Sequence, residues 1–532
     1  IRDRLTVLSE GDEFLGYERW EDYGNYSTYL EGNITYDQRF GNHSVSALLL
    51  YNQRNYDDGD QVPYRTQGFA GRAAYTYADR YIAEFNFGYN GSENFAKGNR
   101  FGFFPSIAAG WIVSEEEFMR PVQNYINKLK LRASYGLAGN DRFYNDDGSQ
   151  KRFAYITTIG STDGYKWGNS NAFYEKGGLR EGDPGVESLT WETVKKANVG
   201  IELGLFKMAE LQVDFFHERR EDIFMQRKNI PSSAGFPSAP WANYGIVTNK
   251  GFDISLDLNK QINKDWFISA RASVTYAKNK IIEQDEDLGV LGTYRSSTGK
   301  PVGQIFGLVN DGLYTEADFE DVTTGKLKPG LPVPKFSDRV YPGDIKYVDF
   351  NGDGEITETD KTAIGGTVNP ELVYGFGINL SYKNIDFGAF FQGNGRTYRI
   401  IGENQKNFLP GSTIGAEGNI FTNASDAWTV DNPSQDVFYP RLHMGYNANN
   451  AQVSDWWLKD MSMLRLKNVE LGYSFSKNLI KKAAMEYARI FVRGTNLLQF
   501  SKFDLWDPEL NTSNGLKYPI MATYSIGLQV RF

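Results

Sequence analysis

The sequence contains no cysteine and only three histidines, His43, His217 and His443. The absence of cysteine excludes disulfides, thiolate nucleophiles and cysteine-based zinc sites, and three scattered histidines offer little imidazole chemistry. His217 shares a face with Leu211 and Phe215 and has no evident partner for catalysis. These shortages predict that the chain is not an enzyme.

Long apolar stretches and basic clusters are also missing. No segment approaches the ~20 consecutive apolar residues that a membrane helix needs. The formal net charge is −9 and no Lys/Arg-rich run is present, so we expect no nucleic-acid partner. A membrane β-barrel remains possible, because its strands turn only alternate residues toward lipid and produce no long apolar run.

Aromatic residues are abundant instead, at 15% of the chain, together with 55 Gly and 18 Pro, a composition typical of many strands joined by polar turns. Apolar and polar residues alternate over segments of about 9–11 residues, the length a tilted strand needs to cross a bilayer. Clear examples are 81–90, 128–137 and 266–277. The segment 374–392 predicts a hairpin, and the segment 523–532 predicts a final strand.

About sixteen such segments predict a large all-β fold, and a closed barrel would remove its edge strands. The polar faces carry charges such as Glu84, Arg132 and Arg271, which suit a water-filled lumen better than a sandwich core. We therefore predict a transmembrane antiparallel β-barrel that occupies 1–532; the alternative is a soluble all-β protein. Long extracellular loops are predicted at 139–190, 221–247, 281–370 and 393–460.

The sharpest local motif is DFNGDGEITETD at 349–360. Oxygen donors at positions one, three and five, Gly at six, a carbonyl at seven and a carboxylate at twelve follow an EF-hand-like calcium loop. The predicted Ca²⁺ ligands are Asp349, Asn351, Asp353, Glu355 and Asp360, with Asp360 in place of the usual Glu. The ion would pin the 281–370 loop. The alternative is a Gly-rich loop whose Asp and Asn side chains cap their own turns.

Aromatic side chains in the long loops are candidate sugar contacts, because a ring face complements the apolar face of a pyranose. The alternative for each is packing inside the loops or against a lid partner. The candidate substrate-binding residues are Tyr165, Trp167, Trp241, Trp428, Trp456 and Trp457.

Several motifs, in order along nearly the whole chain, resemble SusC-like TonB-dependent outer-membrane transporters of Bacteroidetes, the SusC/RagA family. Their joint order makes the resemblance specific, since no single motif would be decisive. The motifs are GYNGSENF at 88–95, FPS at 104–106 before Trp111, LRASYG at 131–136 with GN at 139–140, LTWE at 189–192, NKGF at 249–252, PGDIK at 342–346, DFNGDG at 349–354, LRLKN at 464–468 and GTNL at 494–497.

The resemblance implies a 22-stranded barrel in the outer membrane of a Gram-negative cell, with a plug in its lumen. This sequence shows no plug, no TonB box and none of the earliest strands. Ile1 also begins without an initiator Met or a signal peptide. We therefore expect the chain to be the C-terminal barrel portion, with the N-terminal plug and barrel segment elsewhere.

The resemblance further implies import of large nutrients, oligosaccharides first and oligopeptides next, powered by TonB through the plug. The implied partners are a SusD-like surface lipoprotein acting as a lid, outer-membrane lipid and lipopolysaccharide, and a second unit in a dimer of SusC–SusD pairs. Two other functions stay open: a passive porin-like channel and a soluble β-rich calcium-binding adhesin.

Overall fold

In the computed structural model, fifteen long antiparallel strands among the described residues form one continuous sheet, in which each strand pairs with the next along the chain. The structure describes residues 24–57, 59, 62–145, 148–169, 172–236, 238–402, 409–411, 422–481 and 484–532. The strands are β1 (Tyr26–Phe40), β2 (His43–Asp57), β3 (Tyr64–Tyr77), β4 (Tyr81–Ser92), β5 (Phe101–Ile112), β6 (Ile126–Asn140), β7 (Glu192–Leu205), β8 (Ala209–Gln226), β9 (Trp241–Gln261), β10 (Trp266–Glu283), β11 (Leu372–Tyr382), β12 (Ile385–Gly395), β13 (Met463–Ser474), β14 (Tyr487–Ser501) and β15 (Thr523–Arg531).

The predicted all-β class and strand positions are confirmed. The alternating segments become β4, β6, β10 and β15, and the predicted hairpin becomes β11 and β12, joined by Lys383 and Asn384. Lys383 adopts a φ of +52°, which a two-residue turn between twisted strands commonly requires. Within the described residues, β1 and β15 each pair on one side only.

One face of the sheet is apolar and exposed. Along β15, Tyr524, Ile526 and Leu528 alternate with polar residues and are 75%, 77% and 67% exposed. Comparable outward side chains recur on β4, β5, β11 and β14. A continuous apolar surface of this kind is unfavourable in water and matches the lipid-facing side of a barrel.

Aromatic residues mark the short-turn end of this apolar face. Tyr81 and Trp111 stack with ring centroids 6.5 Å apart, and both donate hydrogen bonds to Glu116, at 2.6 and 3.0 Å. Trp266 and Tyr382 lie 4.5 Å apart at the ends of β10 and β11. Amphipathic rings at this position are typical of the interfacial girdle of a membrane barrel.

The connections alternate in length, so all long loops emerge at one end of the sheet. Among the short connections, residues 41–42, 78–80 and 383–384 join β1 to β2, β3 to β4 and β11 to β12. The long connections are 141–191, 227–240, 284–371, 396–462 and 502–522. The loop predicted at 221–247 is shorter than expected, because β8 continues to Gln226 and β9 already begins at Trp241.

The long loops carry their own small elements. Short strand pairs join Phe143–Tyr144 with Gln150–Lys151, Ile159–Asn169 with Ala172–Glu181, Gln304–Gly307 with Thr362–Thr367, Asn310–Leu313 with Ile345–Tyr347, Phe319–Asp321 with Lys326–Leu327, Val333–Pro334 with Glu355–Ile356, and Tyr398–Ile400 with Leu458–Asp460. Helical turns occupy Val113–Glu115, Glu117–Val122, Ser232–Ala234, Glu316–Asp318, Glu358–Asp360, Thr422–Ser425, Lys477–Ile480 and Pro508–Leu510. Among the described residues no helix has the length and apolar character to cross a membrane.

The main cluster of buried apolar side chains lies in the loops. Loops 284–371 and 396–462 contribute most of it, and Phe503 of the 502–522 loop joins them. Its members include Leu308, Ile345, Tyr347 and Trp457, which are at most 3% exposed. Apolar burial of this extent stabilises the loops as one packed layer.

Candidate functional site

Ion pairs line the face of the sheet that lies opposite the apolar one. Glu202 on β7 contacts Lys128, Lys130 and Arg132 on β6, at N–O distances of 2.9, 3.3 and 3.4 Å. Arg132 also reaches Asp214 on β8 at 2.6 Å. These charges would be costly in a dry core, so this face fits a water-filled lumen.

The charged wall continues to the far end of the sheet. Arg489 on β14 lies between Asp386 and Glu470, with its Nη2 2.6 Å from the Oε1 of Glu470. Glu470 also contacts Arg493 at 2.5 Å. Because every charge in this group has an opposite partner, the wall is polar without a strong local excess of either sign.

The predicted calcium loop is held by its own backbone. Asp349 accepts hydrogen bonds from the N–H groups of Gly352 and Gly354, at 2.6 and 2.8 Å. Burial alone would raise the pKa of Asp349, but these backbone donors outweigh it and lower the pKa below its usual value. Asp353 likewise accepts from the N–H of Glu355 at 2.8 Å.

Asp360, the last predicted ligand, accepts hydrogen bonds from the backbone of the same loop. Asp360 is fully buried, and its two oxygens accept from the N–H groups of Phe350 and Thr357, at 2.9 and 2.8 Å. Glu355 directs its carboxylate to Lys335, 2.9 Å away. In the described part of the chain, no three Asp, Glu or His side chains gather closely enough to hold a metal ion.

This geometry matches the self-capping alternative for 349–360. The three ligands predicted to bind through side-chain carboxylates, Asp349, Asp353 and Asp360, each already accept a backbone hydrogen bond within the loop. A carboxylate oxygen can still accept a cation on its second lone pair, so the donor types suit Ca²⁺ while their present arrangement does not converge. Calcium binding therefore stays a prediction.

Four of the six candidate sugar contacts pack against neighbouring groups: Trp428, Trp456 and Trp457 within the loop layer, and Trp241 at the start of β9. Trp428 and Trp457 are 7% and 3% exposed and belong to the loop core, so in this structure they offer no ring face to a sugar. Trp456 donates from Nε1 to the carbonyl of Phe438 at 3.1 Å. Trp241 stacks on Phe224 with centroids 4.6 Å apart. The burial of Trp428 and Trp457 favours the packing alternative, since a large loop layer needs aromatic bulk to fill its interior.

Tyr165 and Trp167 lie on the exposed hairpin of Ile159–Asn169 and Ala172–Glu181 and are 74% and 45% exposed. Tyr174, which is not among the six candidate residues, faces Trp167 across the hairpin with centroids 4.6 Å apart. The three rings form one aromatic row, since Tyr165 lies 5.6 Å from Trp167. Recognising Tyr174 would have required the register of the hairpin.

A buried carboxylate, which was not predicted from the sequence, joins the loops 284–371 and 396–462. Asp344, within the PGDIK motif, accepts hydrogen bonds from Asn450 Nδ2 at 2.8 Å and from the N–H of Tyr341 at 2.8 Å. His443 Nε2 lies 2.5 Å from the Oδ1 of Asp344. A fully buried carboxylate needs such partners, so Asp344 fixes the two loops relative to each other.

A second carboxylate ties the 227–240 loop to the start of the 284–371 loop. Asp285 pairs with Arg227 at 2.7 Å and accepts from the N–H of Lys228 and the amide of Asn229, at 2.8 and 2.7 Å. Burial alone would raise the pKa of Asp285, but these donors together lower it to about 2. Two buried carboxylates, Asp344 and Asp285, therefore connect the loops at this end of the sheet.

Comparison with curated proteins identifies TonB-dependent receptors as relatives. TonB-dependent receptor P26 of Formosa agariphila is 30% identical over 506 residues, covering 90% of this chain and 47% of the receptor. Receptor P3 of the same organism is 27% identical over 582 residues, covering 99% and 54%. TonB-dependent receptor SusC of Bacteroides thetaiotaomicron is 25% identical over 489 residues, covering 89% and 45%. The chain thus spans about half the length of these relatives.

The solved structure of a peptide importer, RagAB in its closed–closed state, has the same fold. It superposes with a TM-score of 0.70 at 22% identity, covering 95% of this chain and 55% of the importer chain. No family model matches the sequence. The relatives named here are receptors and a transporter rather than enzymes, in agreement with the prediction that this chain is not an enzyme.

Proposed function

We propose that this chain, a homologue of SusC-like TonB-dependent receptors located in the outer membrane, forms the wall and outer loops of a nutrient importer. The observation that carries the proposal is the two-sided sheet. It combines an exposed apolar face, an ion-paired inner face and a loop layer confined to one end. A transport wall needs this combination, because lipid, lumen and cell exterior each contact a different part of it.

Energy would come from TonB acting on an N-terminal plug of the whole protein. The curated relatives are about twice as long as this chain, which supports an additional plug and barrel segment in the whole protein. Within the present residues, the inner wall and loops would bind or guide the cargo. No covalent step is proposed.

Oligosaccharides are the favoured cargo and oligopeptides the second candidate. The exposed aromatic row of Tyr165, Trp167 and Tyr174 supports sugar contact, since ring faces stack on pyranoses. The likeness to a peptide importer supports the second candidate through the fold alone.

A SusD-like lipoprotein would cap the loop end, and two such units would pair in the membrane. The resemblance to SusC supports this partnership. The packed loop layer would give the lipoprotein a rigid binding surface, because three of the long connections share its apolar core. Outer-membrane lipid and lipopolysaccharide would surround the apolar face.

The test is purification of the whole native protein in detergent, followed by mass spectrometry of every co-purifying chain. We expect a plug-bearing segment and a surface lipoprotein in equal amounts with this chain. Deleting the TonB box of the whole protein should abolish growth on its nutrient. Growth that survives the deletion would instead support the passive channel, and a protein extracted without detergent would support the soluble adhesin.

A further inference from the structure

A recess of about 690 Å³ opens at the loop end of strands β1 to β5. Two rows of paired residues cross it from strand to strand: Gln53, Gln67, Gly91 and Phe101 form the first row, and Asn55 and Arg65 form the second. Phe153 and Tyr155 of the 141–191 loop also line it. The volume lies within the range of small-molecule binding sites in proteins.

The recess lies on the outward face of the sheet, next to exposed aromatic residues. Tyr51, Phe69, Tyr89 and Phe103 form the adjacent row of paired residues on the side away from the loops. Each of them is two positions along its strand from a residue of the first recess row, and residues two apart share a face of a sheet. Phe69 and Phe103 are 46% and 54% exposed. The recess therefore opens toward the outside of the wall, where a plug in the lumen would not cover it.

Basic residues outnumber acidic residues in the recess. Arg54, Arg65 and Arg100 line it, whereas Glu93 is the single acidic residue among the described residues of the lining. Glu93 is already paired with Arg152, whose Nη2 lies 2.6 Å from its Oε1. The whole chain carries a net charge of −9, so the recess is a local exception that would attract an anionic group.

The guanidinium groups of Arg65 and Arg100 keep free hydrogen-bond donors. Arg65 donates from Nε to Oδ1 of Asn55 over a long distance of 3.4 Å, and Arg100 donates from Nε to the carbonyl oxygen of Phe95 at 3.2 Å. Within the part of the chain that the structure describes, the Nη groups of both arginines make no hydrogen bond and no ion pair. Parallel N–H donors of a guanidinium match the oxygens of a phosphate, so these side chains suit a phosphate group.

A ligand in the recess would also touch an apolar surface. The ring of Phe101 is 42% exposed, lies over Gly91 and stacks on Tyr89 with centroids 5.1 Å apart. Aromatic rings mark the level at which the headgroups of a membrane meet its hydrocarbon. A free anion would not use these rings, whereas an anionic lipid would place its headgroup on the arginines and its acyl chains along the aromatic row.

We infer that this recess binds the phosphorylated headgroup of a glycolipid in the outer leaflet, with Arg65 and Arg100 on the phosphate oxygens. The amides of Gln53, Asn55 and Gln67 would bind the sugar hydroxyls, because an amide donates and accepts hydrogen bonds at once. The site belongs to the outer leaflet because the long loops of a membrane barrel lie outside the cell. The inference rests on the proposed barrel wall and is independent of the cargo.

The experiment uses the whole transporter with its lipoprotein, purified in detergent, stripped of native lipid and titrated in native mass spectrometry. The probes are bisphosphorylated lipid A, the same lipid without its phosphates, and inorganic phosphate. The variants are Arg65→Gln and its double variant with Arg100→Gln, and the control is Arg180→Gln, at an exposed arginine outside the recess. We expect the affinity for lipid A to fall about fivefold in the single variant and about twenty-fivefold in the double variant. Arg65→Lys, which keeps the charge, should give an intermediate affinity, and the control and the melting temperatures of the lipid-free proteins should not change.

The other outcomes are distinguishable. Equal affinity of wild type and double variant for lipid A would overturn the site, as would equal wild-type affinity for the lipid with and without phosphates. Inorganic phosphate that binds as tightly as lipid A would assign the recess to a free anion and overturn the lipid. A double variant that keeps lipid binding but loses a protein chain would show that a protein covers the recess, which also overturns the inference. Nutrient binding that persists in these cases leaves import intact, whereas a transporter that stays dispersed without detergent would count against the proposed wall itself.

Discussion

The Nε2 atom of His443 lies 2.5 Å from Oδ1 of Asp344, and this contact joins loops whose residues are 99 positions apart. Asp344 has no exposed surface, whereas the His443 side chain is 19% exposed. The pair therefore connects the interior of the loop layer to its surface.

Replacing His443 with Gln or Asp344 with Leu should loosen the loop layer without unfolding the sheet. A hydrogen bond to a charged group contributes about 1.5–3 kcal/mol, and its loss leaves a buried group unsatisfied. Limited proteolysis should show faster cleavage within 284–371 and 396–462. His217→Gln is the control, since His217 is exposed on β8; equal cleavage in all three proteins would contradict the bracing role.

Asp285→Asn should make loop stability less dependent on pH. The pKa of Asp285 is about 2 in the fold and 3.8 in an unfolded chain, so its ionised form stabilises the fold by about 2 kcal/mol above pH 4. This contribution is lost as the pH falls through about 2. Thermal unfolding should separate wild type from variant at pH 7 and bring them together near pH 2. A difference that persists at pH 2 would assign the effect to packing.

Calcium binding at 349–360 is testable by calorimetric titration of the whole protein. We expect Asp349→Asn with Asp353→Asn to remove any Ca²⁺ heat, because these carboxylates occupy positions one and five of the motif. Glu358→Gln is the control, since its carboxylate pairs with Lys361 instead. A wild-type protein without measurable Ca²⁺ heat would identify the loop as a self-capped turn.

The aromatic row and the buried indoles should respond differently to alanine. Trp167→Ala should weaken oligosaccharide binding and leave the melting temperature unchanged, because Trp167 is 45% exposed. Trp428→Ala should lower stability by about 3–5 kcal/mol through the cavity it leaves. Binding assays paired with thermal unfolding would distinguish them, and a destabilised Trp167→Ala would argue for a packing role of the hairpin.

Much of the sheet was predictable, because apolar and polar residues alternate along a strand that has one face in lipid and one in water. Lys128 to Leu137 shows this in β6, where the charged side chains meet Glu202 as a lumenal face requires. The hairpin at Lys383 and Asn384 was also predictable, because a two-residue turn determines the register of the two strands that it joins.

The loop contacts were not predictable, because they depend on residues far apart in sequence. The residues of the PGDIK motif do not predict the contact between Asp344 and His443. The sequence around each tryptophan likewise does not distinguish the buried Trp457 from the exposed Trp167. The contact of Phe390 with Gly375 and Gly377 likewise depends on the pairing of β11 with β12. Periodicity reports which face a side chain takes, but not what it meets there.

The single-sided pairing of β1 and β15 has a practical consequence for recombinant work. Within the part of the chain that the structure describes, each of these strands presents a row of unpaired backbone N–H and C=O groups that can bind another strand. Expressed alone, the chain should join copies of itself through these borders and accumulate as inclusion bodies. Co-expression with the N-terminal plug and barrel segment proposed for the whole protein, or refolding in its presence, should give a monodisperse preparation.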